Sequence, residues 1–432
     1  PHGDAAIGDA LVNLGQKDLL IDTQGNWGDI RTGDRSAAPR YIEARLSEFS
    51  IEVAFNKPIT KTQPSYDGRK NEPISLPMKF PLLLAQGAEG IAVGLSTKIL
   101  PHNFNELLNA CIQILEDKPF KIYPDFQTGG LIDVSQYNKG KRGGRVRIRS
   151  HIDIIDKHTL KISSIPYSTT TTNLIDSIVK ANNSGKLKIK SIEDNTAEEI
   201  EIIVNLVKGV SPNITIDALY SFTNCEVSVS PNCCVINDNK PEFITVNQLL
   251  RISTENTLKF LKLELDYKLS VLKEKLHMLC LEKVFIENKI YRDIEECHTW
   301  NLIIDTIMLK LKPFVNNFEK EITNEDVIKL TELKIKKITK YDKLKQKNNI
   351  RNIEDEIGEL NNDIKHIVEY TIRYYEHLLS KYGIDKSRKT IISEFDSISV
   401  KSVAIANKKL FVNKKEGFIG TKLTKDDFVN KC

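Results

Sequence analysis

The clearest pattern along the chain is a leucine series in its second half. Leu258, Leu265, Leu269, Leu272, Leu276 and Leu279 alternate at three and four residues, and Ile286 and Ile290 continue them after a break at Lys283. A second series runs through Ile353, Ile357, Leu360, Ile364 and Ile367, then weakens through Thr371, Tyr374 and Leu378. Both predict long helices with coiled-coil seams. At about 1.5 Å per residue, each arm reaches several tens of ångströms. Between the arms, Trp300, Ile303, Ile304, Ile307 and Met308 supply apolar material for a globular knob. An antiparallel hairpin with a knob at its tip follows. Plain helical packing inside a core is the alternative, and the sustained heptads argue against it.

Elsewhere the period changes. Ile7, Leu11 and Leu14 fall at helical spacing behind Asp4, a capping residue. Leu19 to Asp22 reads as a short strand, and Gln24-Gly25-Asn26-Trp27-Gly28 as a tight loop. A second helix is expected from Pro39, placing Tyr41 and Arg45 on one face four residues apart. From about Tyr66 to Glu242, strands alternate with turns and shorter helices. Arg145–Ile148, Thr159–Ile165 and Glu199–Val207 are strand candidates, Asn173–Lys180 is a helix, and Gly129-Gly130 and Gly143-Gly144 are turns. After Ser399, Val403–Asn407, Leu410–Val412 and Gly417–Gly420 read as a short β-meander that opens a further β domain.

Composition is that of a soluble globular protein: 40% hydrophobic, 28% charged, over 432 residues. That length implies more than one domain. No apolar run approaches the roughly 18 residues a membrane span requires. The net charge of +4 is too small to announce nucleic-acid binding by itself. A denser basic stretch holds Lys139, Lys141, Arg142, Arg145, Arg147 and Arg149. A strand there puts three arginines on one face, either simply solvated or tracking phosphates. The seven cysteines form no C-x-x-C pair and no zinc spacing with histidine, so reduced thiols and a cytoplasmic setting are expected. The chain opens on Pro1 rather than Met, which leads us to expect a fragment or processed product.

The candidate chemistry lies in Gly33-Asp34-Arg35-Ser36-Ala37-Ala38-Pro39-Arg40-Tyr41. A phenol beside a guanidinium suits attack on a phosphodiester, with Tyr41 as nucleophile and Arg40 stabilising charge on phosphorus. Most Arg-Tyr pairs are surface or core accidents, so the surroundings must decide. His2 before Gly3-Asp4 reads more simply as a capping or packing residue, and Ile91 between Gly90 and Ala92 as a buried strand residue.

Those surroundings resemble the A subunit of bacterial type IIA topoisomerases. The shared motifs are Pro1-His2-Gly3-Asp4, the Gln24–Gly28 loop, the Ala37–Leu46 run, Tyr66-Asp67-Gly68, Gly90–Gly94, Pro101-His102-Asn103 and Pro124-Asp125-Phe126. They occur in the family's order, and the helical hairpin falls where the family has one. In detail the likeness is greater to topoisomerase IV than to gyrase. The resemblance implies an α+β multidomain chain: a partial winged-helix DNA-gate domain over 1–65 and an α/β tower domain over 66–245. A long antiparallel coiled coil with a helical dimer gate follows over 246–392, its knob at about 293–345. Residues 393–432 would be a linker and the start of a C-terminal β domain.

It further implies that Tyr41 becomes linked to the 5′ end of cleaved DNA, with Arg40 stabilising the transition state. His2 and Arg45 would contact DNA, and Ile91 would wedge into a base step and bend the duplex. Ala5 and Asp9, one turn apart, match the quinolone site, where many members carry a serine at the first position. Arg35 stands where a serine is common, adding a charge beside DNA. The implied assembly is a homodimer of this subunit on double-stranded DNA, joined by an ATPase/TOPRIM B subunit into an A2B2 heterotetramer. The chain itself would bind no cofactor, with Mg2+ and ATP on the B subunit; it has no Gly-x-x-x-x-Gly-Lys phosphate loop. The expected activity is ATP-dependent strand passage, decatenation and relaxation, with gyrase supercoiling as the alternative. The residues normally upstream of Pro1 are missing, so this chain alone is expected to be inactive. Two other readings compete: a coiled-coil DNA-bridging scaffold, which leaves Arg40-Tyr41 without a use, and a metal-dependent hydrolase at His2-Gly3-Asp4, which lacks further clustered ligands.

Overall fold

The computed structural model describes residues 3–237, 239–318, 320–334, 340–396, 398, 411–413, 418–420 and 430–431. The chain is a mixed α+β protein divided into two compact units. The first comprises 1–53, 80–254 and 377–432; the second comprises 54–79 and 255–376. The second unit thus joins residues 54–79, expected in the gate and tower, to most of the expected hairpin.

The first unit begins with helix α1 (Asp4–Gln16), followed by strand β1 (Ile21–Gln24), strand β2 (Glu43–Leu46) and helix α2 (Glu48–Ala54). Gly3, rather than Asp4, is the N-cap of α1, and Asp4 is its first helical residue. Ile7, Leu11 and Leu14 do share helical spacing, but all three are exposed.

The α/β part holds two four-stranded sheets. One runs in the order Ile189–Asp194, Ile202–Leu206, Thr159–Ile162, Ile152–Ile154. Leu160 and Ile162, with Ile202, Val204 and Leu206, alternate with less buried neighbours, so one face is dry. Leu174, Ile178 and Ala181 of helix Thr171–Asn183 pack on that face. Each large aliphatic side chain buried there contributes about 1.5–3 kcal/mol by leaving water. The second sheet runs Glu226–Val229, Val146–Arg149, Leu131–Asp133, Ile391–Ile392, the last pair joining in parallel. Phe49 of α2 meets the rings of Phe80, Phe104 and Tyr382 at 5.1–5.6 Å. Glu52 of α2 accepts hydrogen bonds from Lys381 and the Tyr382 hydroxyl.

The second unit contains most of a helix that runs from Val246 to Glu287 and returns through Lys340–Lys365 and Ile367–Tyr382. Gln346 donates to the Leu279 carbonyl, while Lys79 pairs with Glu264 and lies over the Tyr374 ring. Residue numbers fall on one arm as they rise on the other, so the arms are antiparallel. The break expected at Lys283 comes later, at Lys289, whose backbone is left-handed (φ 54°). Apolar spacing fades at Lys283, but the backbone hydrogen-bond ladder does not require it. Lys79 and Glu264 are both buried, a costly arrangement that only close pairing offsets. Three helices, Ile290–Asp293, Trp300–Leu311 and Asn324–Thr331, form the knob. Its core joins Leu281, Phe285 and Ile286 to Ile307, Leu311 and Val327. Thr323 and Asp326 close a capping box at the third helix.

At the C-terminal end, Phe411–Asn413 pairs antiparallel with Phe418–Gly420 and with Asn430–Lys431. The Val403–Asn407 segment, Leu410, Gly417 and His2 lie outside the described residues.

Candidate active site

Pro39, Arg40 and Tyr41 form one turn of 3-10 helix, not the start of a longer helix. Pro39 supplies the helical φ at its first position. Ile42 then goes extended (φ −122°, ψ 147°), and Glu43–Leu46 pairs antiparallel with Ile21–Gln24. Tyr41 and Arg45 therefore do not share a helical face. The strand has no buried side, so no two-residue hydrophobic period marks it in the sequence.

The turn is held by its neighbours. Ala37 N–H donates to the Asn26 carbonyl at 2.9 Å, and Tyr41 N–H to the Ala38 carbonyl at 2.9 Å. Gly25 (φ +95°) sits so close beneath Tyr41 that a Cβ would lie 2.7 Å from its carbonyl oxygen. Trp27 is buried and its indole N–H donates to the Gln24 carbonyl. Gly15 of α1 lies flat on the Trp27 ring, where a Cβ would approach to 2.6 Å. Below, Asp29 holds Arg31 at 2.6 Å, and the Arg31 guanidinium reaches the Glu198 carbonyl. The hydrogen bond to Arg31 lowers the Asp29 pKa despite partial burial. Thr171 N–H donates to the Arg31 carbonyl at 2.8 Å, tying the loop to the helix Thr171–Asn183. Sequence reasoning misses these supports, for which the glycines of the loop are the only local signal.

On this platform Tyr41 is 65% exposed. The Arg40 guanidinium carbon lies 4.7 Å from the centre of its ring. Among the described residues neither the Tyr41 hydroxyl nor Arg40 has an ion-pair or hydrogen-bond partner on its side chain. Ala5 and Asp9 stand exposed on α1, and Gly8 between them faces Pro39. Arg45 pairs with Asp22 at 3.0 Å, both largely exposed, an interaction weak enough for a phosphate to displace.

Ile91 occupies an antiparallel hairpin, Ala88–Ala92 with Leu95–Ile99, closed by Val93 and Gly94. It is 91% exposed, not buried as its apolar motif alone suggests, because neither face of this hairpin's first strand is covered. Val93 at the tip is fully exposed. Asn232 braces the second strand through Lys98 and Ser96. The basic strand resolves differently: Arg147 and Arg149 pair with Glu226, and only Arg145 points to solvent, donating to Ser228 Oγ. Among the described residues, no group of three His, Cys, Asp or Glu is arranged to hold a metal, and no helix is long and apolar enough to cross a membrane.

The sequence profile of the DNA gyrase/topoisomerase IV A-subunit family matches residues 1–376. The chain belongs to that family. It is 41% identical over all 432 residues to the A subunit of DNA topoisomerase 4 from Borreliella burgdorferi, spanning 69% of that protein. The DNA gyrase A subunit of Lawsonia intracellularis is 36% identical over 304 residues, covering 65% of this chain and 37% of the gyrase. The DNA gyrase A subunit of Brachyspira hyodysenteriae is 26% identical over 445 residues, 94% of this chain and 52% of its own.

Proposed function

We propose that this chain is the DNA-cleaving and rejoining part of a topoisomerase IV-like A subunit. The carrying observation is the exposed Tyr41 with the unpaired Arg40 guanidinium over its ring, on a braced loop. The 41% identity to a topoisomerase 4 protein over the whole of this chain favours this reading over gyrase, whose matches are 36% over 65% of the chain and 26% over 94%.

In this reading the Tyr41 oxygen loses its proton and attacks phosphorus. The bond from phosphorus to the 3′ oxygen breaks, and that oxygen leaves as a hydroxyl after taking up a proton. Tyr41 is then esterified to the 5′ phosphate. One phosphodiester replaces another, so the reverse attack reseals the strand without an energy source. Arg40 meets charge building on the non-bridging oxygens, the type of contact that acts mainly in the transition state. We assign Mg2+ and ATP to a partner B subunit, where the metal would activate and steer oxygens.

The finer architecture belongs to the same proposal: a winged-helix gate holding Tyr41, a tower, and a coiled coil whose knob pairs two copies, with B subunits completing an A2B2 assembly in the cytoplasm. Two copies are needed to cut two strands. Ile91, on its exposed hairpin, is the base-step wedge, with Arg45 and His2 on the backbone. The activity is tested by combining an A subunit extended to its relatives' length with B subunit, magnesium and supercoiled DNA, then trapping with detergent. Wild type should retain covalent protein–DNA complex and Tyr41→Phe should not; equal trapping would remove the assignment. Because Ala5 lacks a hydroxyl for a drug-bridging water, Ala5→Ser should increase quinolone-stabilised cleavage.

A further inference from the structure

Part of the basic stretch in the first unit is already engaged: Arg147 and Arg149 pair with Glu226, and Arg145 donates to Ser228 Oγ. Lys139 and Lys141 differ. Both are exposed, and with Arg251, Pro119 and Phe120 they line one recess of about 450 Å³. Among the described residues, none of these three cations has an ion-pair partner and no carboxylate lines the recess.

Packing fixes where the charges stand. Asn138, Lys139 and Gly140 take three successive left-handed conformations (φ 47°, 52° and 75°), with Lys139 and Lys141 on either side of the glycine. Gly140 lies against Val246, the first residue of the helix Val246–Glu287, where a Cβ would come within 2.5 Å of a side-chain carbon. Its carbonyl accepts from the Cys233 N–H at 3.2 Å. Arg251 comes from the same helix, and its guanidinium carbon lies 5.3 Å from the centre of the Phe120 ring, so the aromatic wall carries the third cation. The helix start is satisfied by its own capping residues: Thr245 N–H donates to Gln248 Oε1, and Gln248 N–H to Thr245 Oγ1. The pull on an anion therefore comes from three side-chain charges, whose single sign around a concave wall focuses the field.

We propose that this recess binds a run of about three phosphate groups, one for each cation. The two lysines act as mobile point charges that follow a flexible chain, while Arg251 offers a planar fork of donors. The run belongs either to a free oligophosphate or to a DNA backbone, and the same contacts hold both. The site is independent of the cleavage reading, which rests on Tyr41.

The test titrates the 432-residue chain with sodium tripolyphosphate by calorimetry, and with a short labelled DNA duplex by fluorescence anisotropy. Lys139→Gln combined with Lys141→Gln should weaken binding roughly tenfold, since two of three nearby charges are lost. Arg251→Gln should weaken it several-fold. Lys188→Gln combined with Lys208→Gln removes two exposed lysines elsewhere on the unit and should change nothing. Circular dichroism melting of each variant separates lost binding from lost fold. A loss confined to the duplex identifies backbone phosphates as the occupant, and a loss for tripolyphosphate identifies a free phosphate chain. Wild-type affinity for both probes in the recess variants would overturn the proposal, as would an equal loss in the Lys188 and Lys208 pair.

Discussion

Arg40 and Arg149 belong to the same unit and end in opposite states. Arg149 lies on the strand Val146–Arg149 directly across from Glu226, and its Nε is 2.6 Å from that carboxylate. It is also flanked by the rings of Tyr220 and Phe395 at 4.6 and 4.3 Å. Arg147 shares Glu226 at 2.8 Å and Phe395 at 5.4 Å. Arg40 has an aromatic ring beside it but no carboxylate. A run of arginines thus says little about phosphate binding until the facing strand is known. The two strand arginines share Glu226, with Asp133 a further 3.9 Å from Arg147, so two carboxylates offset their charge, and the lone one in the turn keeps its own.

The sharpest way to break this contrast is to remove each guanidinium in turn. Arg40→Gln should slow DNA cleavage about 10²–10³-fold in the completed complex, as losing one transition-state donor does, while leaving the melting temperature unchanged. Arg149→Gln should do the reverse, lowering the melting temperature but sparing cleavage per folded molecule. Single-turnover cleavage and calorimetry read the two effects.

Glu226→Gln should destabilise the fold by about 3 kcal/mol, because it strands two partly buried guanidinium groups. Urea unfolding measures this.

The same carboxylate predicts a pH dependence. Burial opposes its ionisation, but the hydrogen bonds and charges of Arg147 and Arg149 outweigh it and lower its pKa from 4.5. Its stabilisation is therefore fully present above 4.5, where the unfolded chain is also ionised. It is lost as pH falls through the lower folded value. Unfolding titrations should show a low-pH slope that shrinks in Glu226→Gln. The smallest effect is expected for Phe395→Ala, about 1 kcal/mol from its two cation–π contacts, with no change in cleavage.

Where a segment buries one face, the sequence reveals it. Thr159–Ile162 and Ile202–Leu206 alternate because one side meets helices, and the two arms carry seams because they meet each other. The turn at Tyr41 reads as helical for the opposite reason. Its following strand exposes every residue and is fixed by pairing with Ile21–Gln24, about twenty positions away. Such pairing leaves no local trace. The buried Lys79–Glu264 pair is equally invisible, since both residue types read as surface. The residues proposed for chemistry are named from motif order alone. The geometry adds that Tyr41 and Ile91 are solvent-facing, and that Arg45 engages Asp22.

Helix α1 ends up with two very different mutational fates along its length. At Gly15 no side chain fits against the Trp27 ring, so almost any change there should be purged with the loop it supports. Ala5 and Asp9, on the same helix, are both exposed. Replacements there cost little beyond helix propensity, roughly 0.5 kcal/mol. A lineage carrying this protein can therefore vary the exposed turn of α1 almost freely, and under the proposed function that is where drug sensitivity would drift while the loop bearing Tyr41 stays fixed.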